Sequence, residues 1–363
     1  MYPINGPGDT TGLRGLIQSG EVEPSDIQGV MVTHEGDLAG NEFATIEVAG
    51  VLAEHLGISR RDVIDDIPIQ ALAGANGFMV PHAAVFTRTI SEGTPGEKRF
   101  VVAGATTRRF NPNEVGTAAY AREIRSVVTS LMDEADVAAP EDVHLVFAKT
   151  PWPNPDRLSA SNNDAQMFPA EDWWGMLRYA QGGAAIGIAS ALGEIVDSDI
   201  SDERIVTDRA TLYSTVAQCS STEDRDRVAI MLFANTTASI SPLVIGHGVL
   251  DHGMDTAGIK EILRALGFEF SCCPDPQDLA RIRYAWVKPK TSEAPDLLGQ
   301  RHTLVTHGVL GPFWWMVEKG PIHAAVASVL GTTVLEVATG REHQGPPGKP
   351  LVAVLADAEK KSR

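Results

Sequence analysis

Amphipathic helices followed by apolar strands recur along the chain. The segment Asp9-Thr10-Thr11-Gly12-Leu13-Arg14-Gly15-Leu16-Ile17 places its apolar residues at helical spacing and leads into the strand-like run Asp26 to Val32. Asp255-Thr256-Ala257-Gly258-Ile259-Lys260-Glu261-Ile262-Leu263 repeats that pattern ahead of Leu279 to Val287, and a weaker copy runs from Thr117 to Ile124 and then from Val143 to Lys149. Behind each strand lies a helix of small residues, at Phe43 to Leu56, Gly182 to Leu192 and Ile322 to Leu330. A polar, small-residue turn follows in each case: Ala71 to Gly77, Cys219 to Thr222 and Ala338 to Gln344.

A pattern that recurs in this way is read as a structural repeat before any single element is assigned. Repeated helix-strand units imply sheets with helices against one face, an α+β class. The expected architecture is three similar helix-and-sheet units around a pseudo-threefold axis, with the sheets forming a central barrel-like core and the helices outside. The units are expected at 1–100, 101–250 and 251–363. Strand ends and small-residue turns would then gather at one central site. Pro151 to Asp172, rich in Pro, Asn, Ser and Asp, reads as a long loop, a lid or a subunit contact.

Composition narrows the function. With 43% hydrophobic and 21% charged residues, the 363-residue chain has the apolar content for real cores. No apolar run reaches the roughly 18 residues of a membrane span. A net charge of -17 makes general binding to nucleic acid phosphates or anionic lipid unattractive and leaves a small molecule as the expected partner. The cysteines, Cys219, Cys272 and Cys273, have neither disulfide-framework nor zinc-site spacing, and the start of the chain lacks a secretory pattern, so a reduced, cytoplasmic protein is expected.

Several motifs carry a resemblance. Gly77-Phe-Met-Val-Pro81-His82 with the following Ala-Ala-Val-Phe-Thr-Arg88, Leu243-Val-Ile-Gly-His247-Gly-Val-Leu250, Arg301-His302-Thr303-Leu304 and Glu342-His343-Gln344-Gly345-Pro346 together resemble the cyanuric acid hydrolase and barbiturase family of ring-opening amidohydrolases. The resemblance covers nearly the whole chain. It implies three units around a threefold axis, an axial site, hydrolytic opening of small cyclic imides and a homotetramer. It also implies one Ser, one Lys and one Arg from each unit, with the middle Ser-Lys pair performing acylation.

Carried onto this chain, the resemblance places the middle lysine on Lys149 and the middle serine on Ser220, with Ser221 a second candidate and Cys219 a distant third. The third-unit lysine is Lys288. The remaining serine positions read Leu72-Ala73 and Ala338-Thr339, and the lysine position of the first unit reads Thr33, beside His34. The arginine positions fall near Thr45, on Gln181 (with Arg178 three residues earlier) and near Met316. Ser221, Leu72, Ala73, Ala338, Thr339, Lys288, Gln181 and Trp314 are therefore expected around the substrate, with backbone N–H groups of Ser221 and the other two turns as oxyanion donors. Trp173-Trp174 and Trp314-Trp315 precede their small-residue helices, and Trp314 or Trp315 would make the pocket more apolar. His82, His247, His302 and His343 are read as structural.

A lysine amine is a competent base for a serine hydroxyl if burial and neighbouring cations lower its pKa. Repulsion between Lys149 and Lys288 is expected to contribute. The expected activity is ring opening of a cyclic amide, imide or related heterocycle, not of cyanuric acid, whose symmetry would leave carbonyls unpaired. The other reading is a non-hydrolytic heterocycle-binding protein or acid-base enzyme on the same fold. No cofactor is expected. The resemblance further implies a structural divalent cation bound by a glutamate two residues after the third lysine. Lys290 stands there, so no metal is expected, and its ammonium is expected against carbonyls of the loop Arg341 to Gly348.

Overall fold

The computed structural model describes residues 1–35, 38–73, 78–90, 93, 96–153, 173–223, 225–290, 294, 296–303, 317–338 and 342–358, without the side chains at 38, 173 and 174. Trp314, Trp315, Met316 and Thr339 lie outside the described residues, as does most of Pro151 to Asp172.

One strand connectivity occurs three times, with the short extra helix placed before the second strand only in the third unit. The first unit runs β1 (Tyr2–Pro3), α1 (Thr11–Gln18), β2 (Ile27–His34), α2 (Leu38–Leu56), α3 (Arg60–Asp66), β3 (Ile69–Ala73) and β4 (His82–Thr87). The second runs β5 (Arg99–Thr106), α4 (Ala118–Glu134), β6 (Val143–Pro151), α5 (Trp173–Ala191), α6 (Asp202–Thr207), β7 (Ala217–Thr222) and β8 (Ala229–Thr236). The third runs β9 (Leu243–Val249), α7 (Thr256–Ala265), α8 (Pro276–Leu279), β10 (Ile282–Lys288), α9 (Lys319–Leu330), β11 (Glu336–Val337) and β12 (Leu351–Asp357).

The three four-stranded sheets are ordered β1-β4-β2-β3, β5-β8-β6-β7 and β9-β12-β10-β11, so every unit uses its first, fourth, second and third strand in that order. The second and third strands of each unit are parallel and the other pairs antiparallel. Even the register break recurs, between Ile27 and Gly29, Val143 and Leu145, and Ile282 and Tyr284. The strand Leu243–Val249, which a boundary at 250 assigns to the second unit, pairs with β12 in the third sheet. Strand pairing, a long-range property, overrides the sequence boundary there.

Alternation along the strands divides the core in two. Outward residues pack each sheet on its own helices: Val30, Val32 and Ile69 under α2, Val146, Ala148 and Cys219 under α4 and α5, and Ala285, Val287 and Val354 under α7 and α9. Inward residues of all three sheets form one shared cluster that includes Met31, Leu72, Phe147, Met231, Trp286 and Ala338. The sheets converge without closing into a barrel, because each keeps its own edges.

Helix ends follow local chemistry. Asp255 accepts the Gly258 N–H at the start of α7 and Thr117 accepts that of Tyr120 at the start of α4, whereas Thr10 makes no side-chain cap and Asp9 accepts the Thr11 N–H instead. The helices α2, α5 and α9 lead into Leu56-Gly57, Leu192-Gly193 and Leu330-Gly331, with glycine φ of 70°, 70° and 66°. Small residues let α5 approach α4: a Cβ at Gly187 would stand 2.3 Å from the Ala121 carbonyl oxygen.

Candidate active site

Register defines three equivalent positions at the strand ends. Thr33 is opposite Leu72 and Lys149 is opposite Ser220 in the parallel ladders, and Lys288 follows Val287, whose partner Val337 precedes Ala338. Parallel partners share a face, so Lys149 and Ser220 point together toward the shared inner cluster. Both are buried, with relative exposures of 2% and 8%. The Ser220 Oγ has no hydrogen-bond partner among the described residues.

The neighbours of Ser220 face the other way. Ser221 Oγ is 2.6 Å from Thr150 Oγ1, on the helix side of the sheet. Cys219 lies in the helix-side core, and burial pushes its thiol up to about 12. The segment Cys219 to Thr222, expected as a turn, is the end of β7, and Leu72 and Ala73 likewise end β3. One expected oxyanion donor is engaged: the Ala338 N–H donates to Val287 O at 3.1 Å.

The lysines link the units in sequence. Lys149 Nζ donates to Ala71 O in the first unit at 2.7 Å, and Lys288 Nζ donates to Cys219 O in the second at 2.6 Å. Ala71 and Cys219 are equivalent by register, so the two bonds are successive steps of one cycle, and Thr33 holds the third place. Burial lowers Lys288 to about 8; Glu336 opposes the shift, and Lys319 and Lys290 add to it. Desolvation, with those two lysines, replaces the expected repulsion from Lys149 as its cause.

Helix register relates one further set of positions. Counting back equally from Leu56, Leu192 and Leu330, each followed by its left-handed glycine, aligns Thr45, Gln181 and Lys319. By this count Lys319 is the third-unit counterpart of Thr45 and Gln181, while Met316 lies outside the described residues. Lys319 Nζ donates to Ala73 O at 2.9 Å, and burial lowers it to about 8. Gln181 Oε1 accepts from Gln344 Nε2 at 3.4 Å, while Thr45 Oγ1 donates to Asn41 O at 2.8 Å. Arg178 is held away in a pair with Glu342 at 2.7 Å, which Arg209 also contacts.

Sequence reasoning missed Glu336. It is fully buried, neither carboxylate oxygen has a hydrogen bond among the described residues, and desolvation raises it to about 7 against the pull of Lys288, Lys319 and Lys149. Its register equivalents are Gln70 and Gln218. An acidic residue two positions before a serine-equivalent position was the available signal.

The histidines make structural contacts. His82 lies 2.7 Å from Val80 O and 2.6 Å from Tyr284 Oη, and His343 contacts Leu212 O and Ile205 O. His302 lies 3.3 Å from Ala294 O, and His247 and His144 face each other with Nδ1 atoms 2.9 Å apart. The third-unit metal position does not fit a divalent cation. Lys290 Nζ donates to Gly345 O at 3.1 Å, placing a cation on the loop oxygen, and Glu342 is committed to two arginines.

A buried serine opposite a buried lysine, with further cations where three repeated sheets converge, defines a three-unit α+β protein equipped for chemistry at a carbonyl. The sequence matches the family described as "Amidohydrolase ring-opening protein" over residues 1–357, and the chain belongs to that family. It is 34% identical to a cyclic amide hydrolase of Rhodococcus sp. over 97% of this chain and 100% of that protein. A cyanuric acid amidohydrolase of Pseudomonas sp. (strain ADP) is 31% identical over 98% of both chains. The solved structure titled "Cyanuric acid hydrolase: evolutionary innovation by structural concatenation" superposes with a TM-score of 0.89 at 30% identity, covering 98% of this chain and 97% of the other. No described helix is long and apolar enough to cross a membrane.

Proposed function

We propose that the protein hydrolyses the ring of an unsymmetrical cyclic amide or imide through Ser220 and Lys149. The carrying observation is their direct opposition in the β6–β7 ladder, on the face where the sheets converge. Lys149, as a free amine, takes the Ser220 hydroxyl proton while Oγ bonds to the ring carbonyl carbon. Collapse of the tetrahedral oxyanion breaks the ring C–N bond, and the Lys149 ammonium returns its proton to the leaving nitrogen. The product is a linear acyl ester on Ser220. Water, deprotonated by the same amine, releases the acid and restores the hydroxyl.

Cyanuric acid is not the expected substrate. Leu72 and Ala338 replace two serines, and Thr45, Gln181 and Lys319 are three different groups where a threefold-symmetric ring would meet three equal ones. Each unpaired buried carbonyl costs about 1–3 kcal/mol. The test is a panel of cyclic amides and imides assayed by the absorbance change on ring opening, followed by mass spectrometry with a slowly turned-over member. An acyl adduct on the Ser220 peptide is expected; an adduct elsewhere, or turnover that survives Ser220→Ala, refutes the assignment.

A further inference from the structure

Three sheets related by one register place Gln70, Gln218 and Glu336 at equivalent inward positions. Only the third is ionisable. Gln70 Nε2 donates to Ala229 O at 2.9 Å, while its Oε1, like that of Gln218, has no partner among the described residues; at Glu336 both oxygens, and with them a full negative charge when ionised, lack a hydrogen bond among the described residues in a fully buried setting. A buried carboxyl without hydrogen bonds is costly and persists only with compensating charge. The compensating charges are Lys288 from β10, Lys319 from α9 and Lys149 from β6, with Lys290 acting on Lys288. Tyr284, also on β10, supplies no charge: burial and the nearby Glu336 keep its phenol neutral.

We infer that Glu336 is a positioning residue for the axial amines: its carboxylate is the counter-charge of Lys149, Lys288 and Lys319 and so sets the proton balance of the Lys149 base. The catalytic part rests on the assignment of Lys149 under Proposed function. An anion beside an ammonium group favours its charged form, whereas the serine reaction needs the free amine. Glu336 thus holds the cations together in the buried centre and makes the base available only at higher pH. Gln70 and Gln218 show that an amide fits this strand position.

The experiment compares the parent with Glu336→Gln and Glu336→Asp. In Glu336→Gln the acidic limb of kcat/KM, where the base loses its proton, should move down by about one pH unit, raising kcat/KM about tenfold below the limb. In Glu336→Asp, which keeps the charge, the limb should stay within a few tenths of a unit of the parent. Circular dichroism verifies folding. A second readout needs no turnover: 13C NMR titration of lysine Cε, assigned with single Lys→Ala variants, should show at least one of the three lysines titrating lower in Glu336→Gln. Unchanged or raised lysine titrations, or an unmoved limb, would overturn the inference. If Lys149→Ala keeps turnover, the base assignment fails while the NMR titration still decides whether Glu336 is the counter-charge.

Discussion

Lys149 and Ser220 stand opposite each other on neighbouring parallel strands, and the Lys149 ammonium reaches past its own unit to the Ala71 carbonyl at 2.7 Å. The proposed base and nucleophile thus both belong to the second unit, and the lysine is tied to the first through its terminal nitrogen. Ser220→Ala and Lys149→Ala are each expected to lower kcat by about a thousandfold or more, and the double variant to be no worse than either, because the two act as one unit. Ser221→Ala, which loses only a contact with Thr150, should retain kcat within a few fold. Steady-state kinetics on a ring-opening substrate checks all four variants.

Lys288 holds the carbonyl of Cys219, the residue before the proposed nucleophile. Lys288→Met keeps much of the side-chain volume and removes this bond and its charge. The expected outcome is a drop in kcat/KM of about tenfold to a hundredfold, smaller than that of Lys149→Ala, matching a lost hydrogen bond of a charged group at about 1.5–3 kcal/mol. A loss equal to that of Lys149→Ala would give Lys288 the role of base.

Lys290 occupies the place where the family resemblance puts a metal-binding carboxylate, and donates to Gly345 O. Treatment with a chelator should leave the melting temperature unchanged. Lys290→Met should lower stability by about 1.5–3 kcal/mol. Lys290→Glu should also be destabilised without added metal, and should recover on titration with a divalent cation, read as a rise in melting temperature. A chelator-sensitive parent would contradict this account.

His144 and His247 meet between the second and third sheets, and burial with the neighbouring ring pushes His144 down to about 4. The folded state therefore binds its proton more weakly than the unfolded chain, where a histidine titrates near 6.5. Between about pH 6.5 and 4 the unfolded state holds more protons, so this contribution to stability is complete above that window and is lost as pH falls through it. His144→Gln should flatten that part of the stability profile, measured by denaturant unfolding at a series of pH values.

Much of this protein was legible in the chain itself. Helix and strand periodicities are local, so the recurring Asp-Thr-x-Gly helices and apolar strands disclosed the repeat, whereas Lys149, Ser220 and Lys288 were singled out by the family resemblance of motifs such as His247-Gly-Val. The contact of Lys290 with the loop that follows Glu342-His343-Gln344 was expected from the resemblance, which puts a metal-binding glutamate where this chain has a lysine. What counting cannot supply is the face of a strand or the partner of an edge. Only the ladder register turns Ser220 inward and Ser221 toward Thr150, and only long-range pairing moves Leu243–Val249 into the third sheet. The tertiary structure likewise decided that Lys319 faces the axis and that Glu336 meets three lysines drawn from β6, β10 and α9. Those positions are set by how helices pack on sheets and how three sheets converge. Both involve residues far apart in the chain, where no local period carries the information.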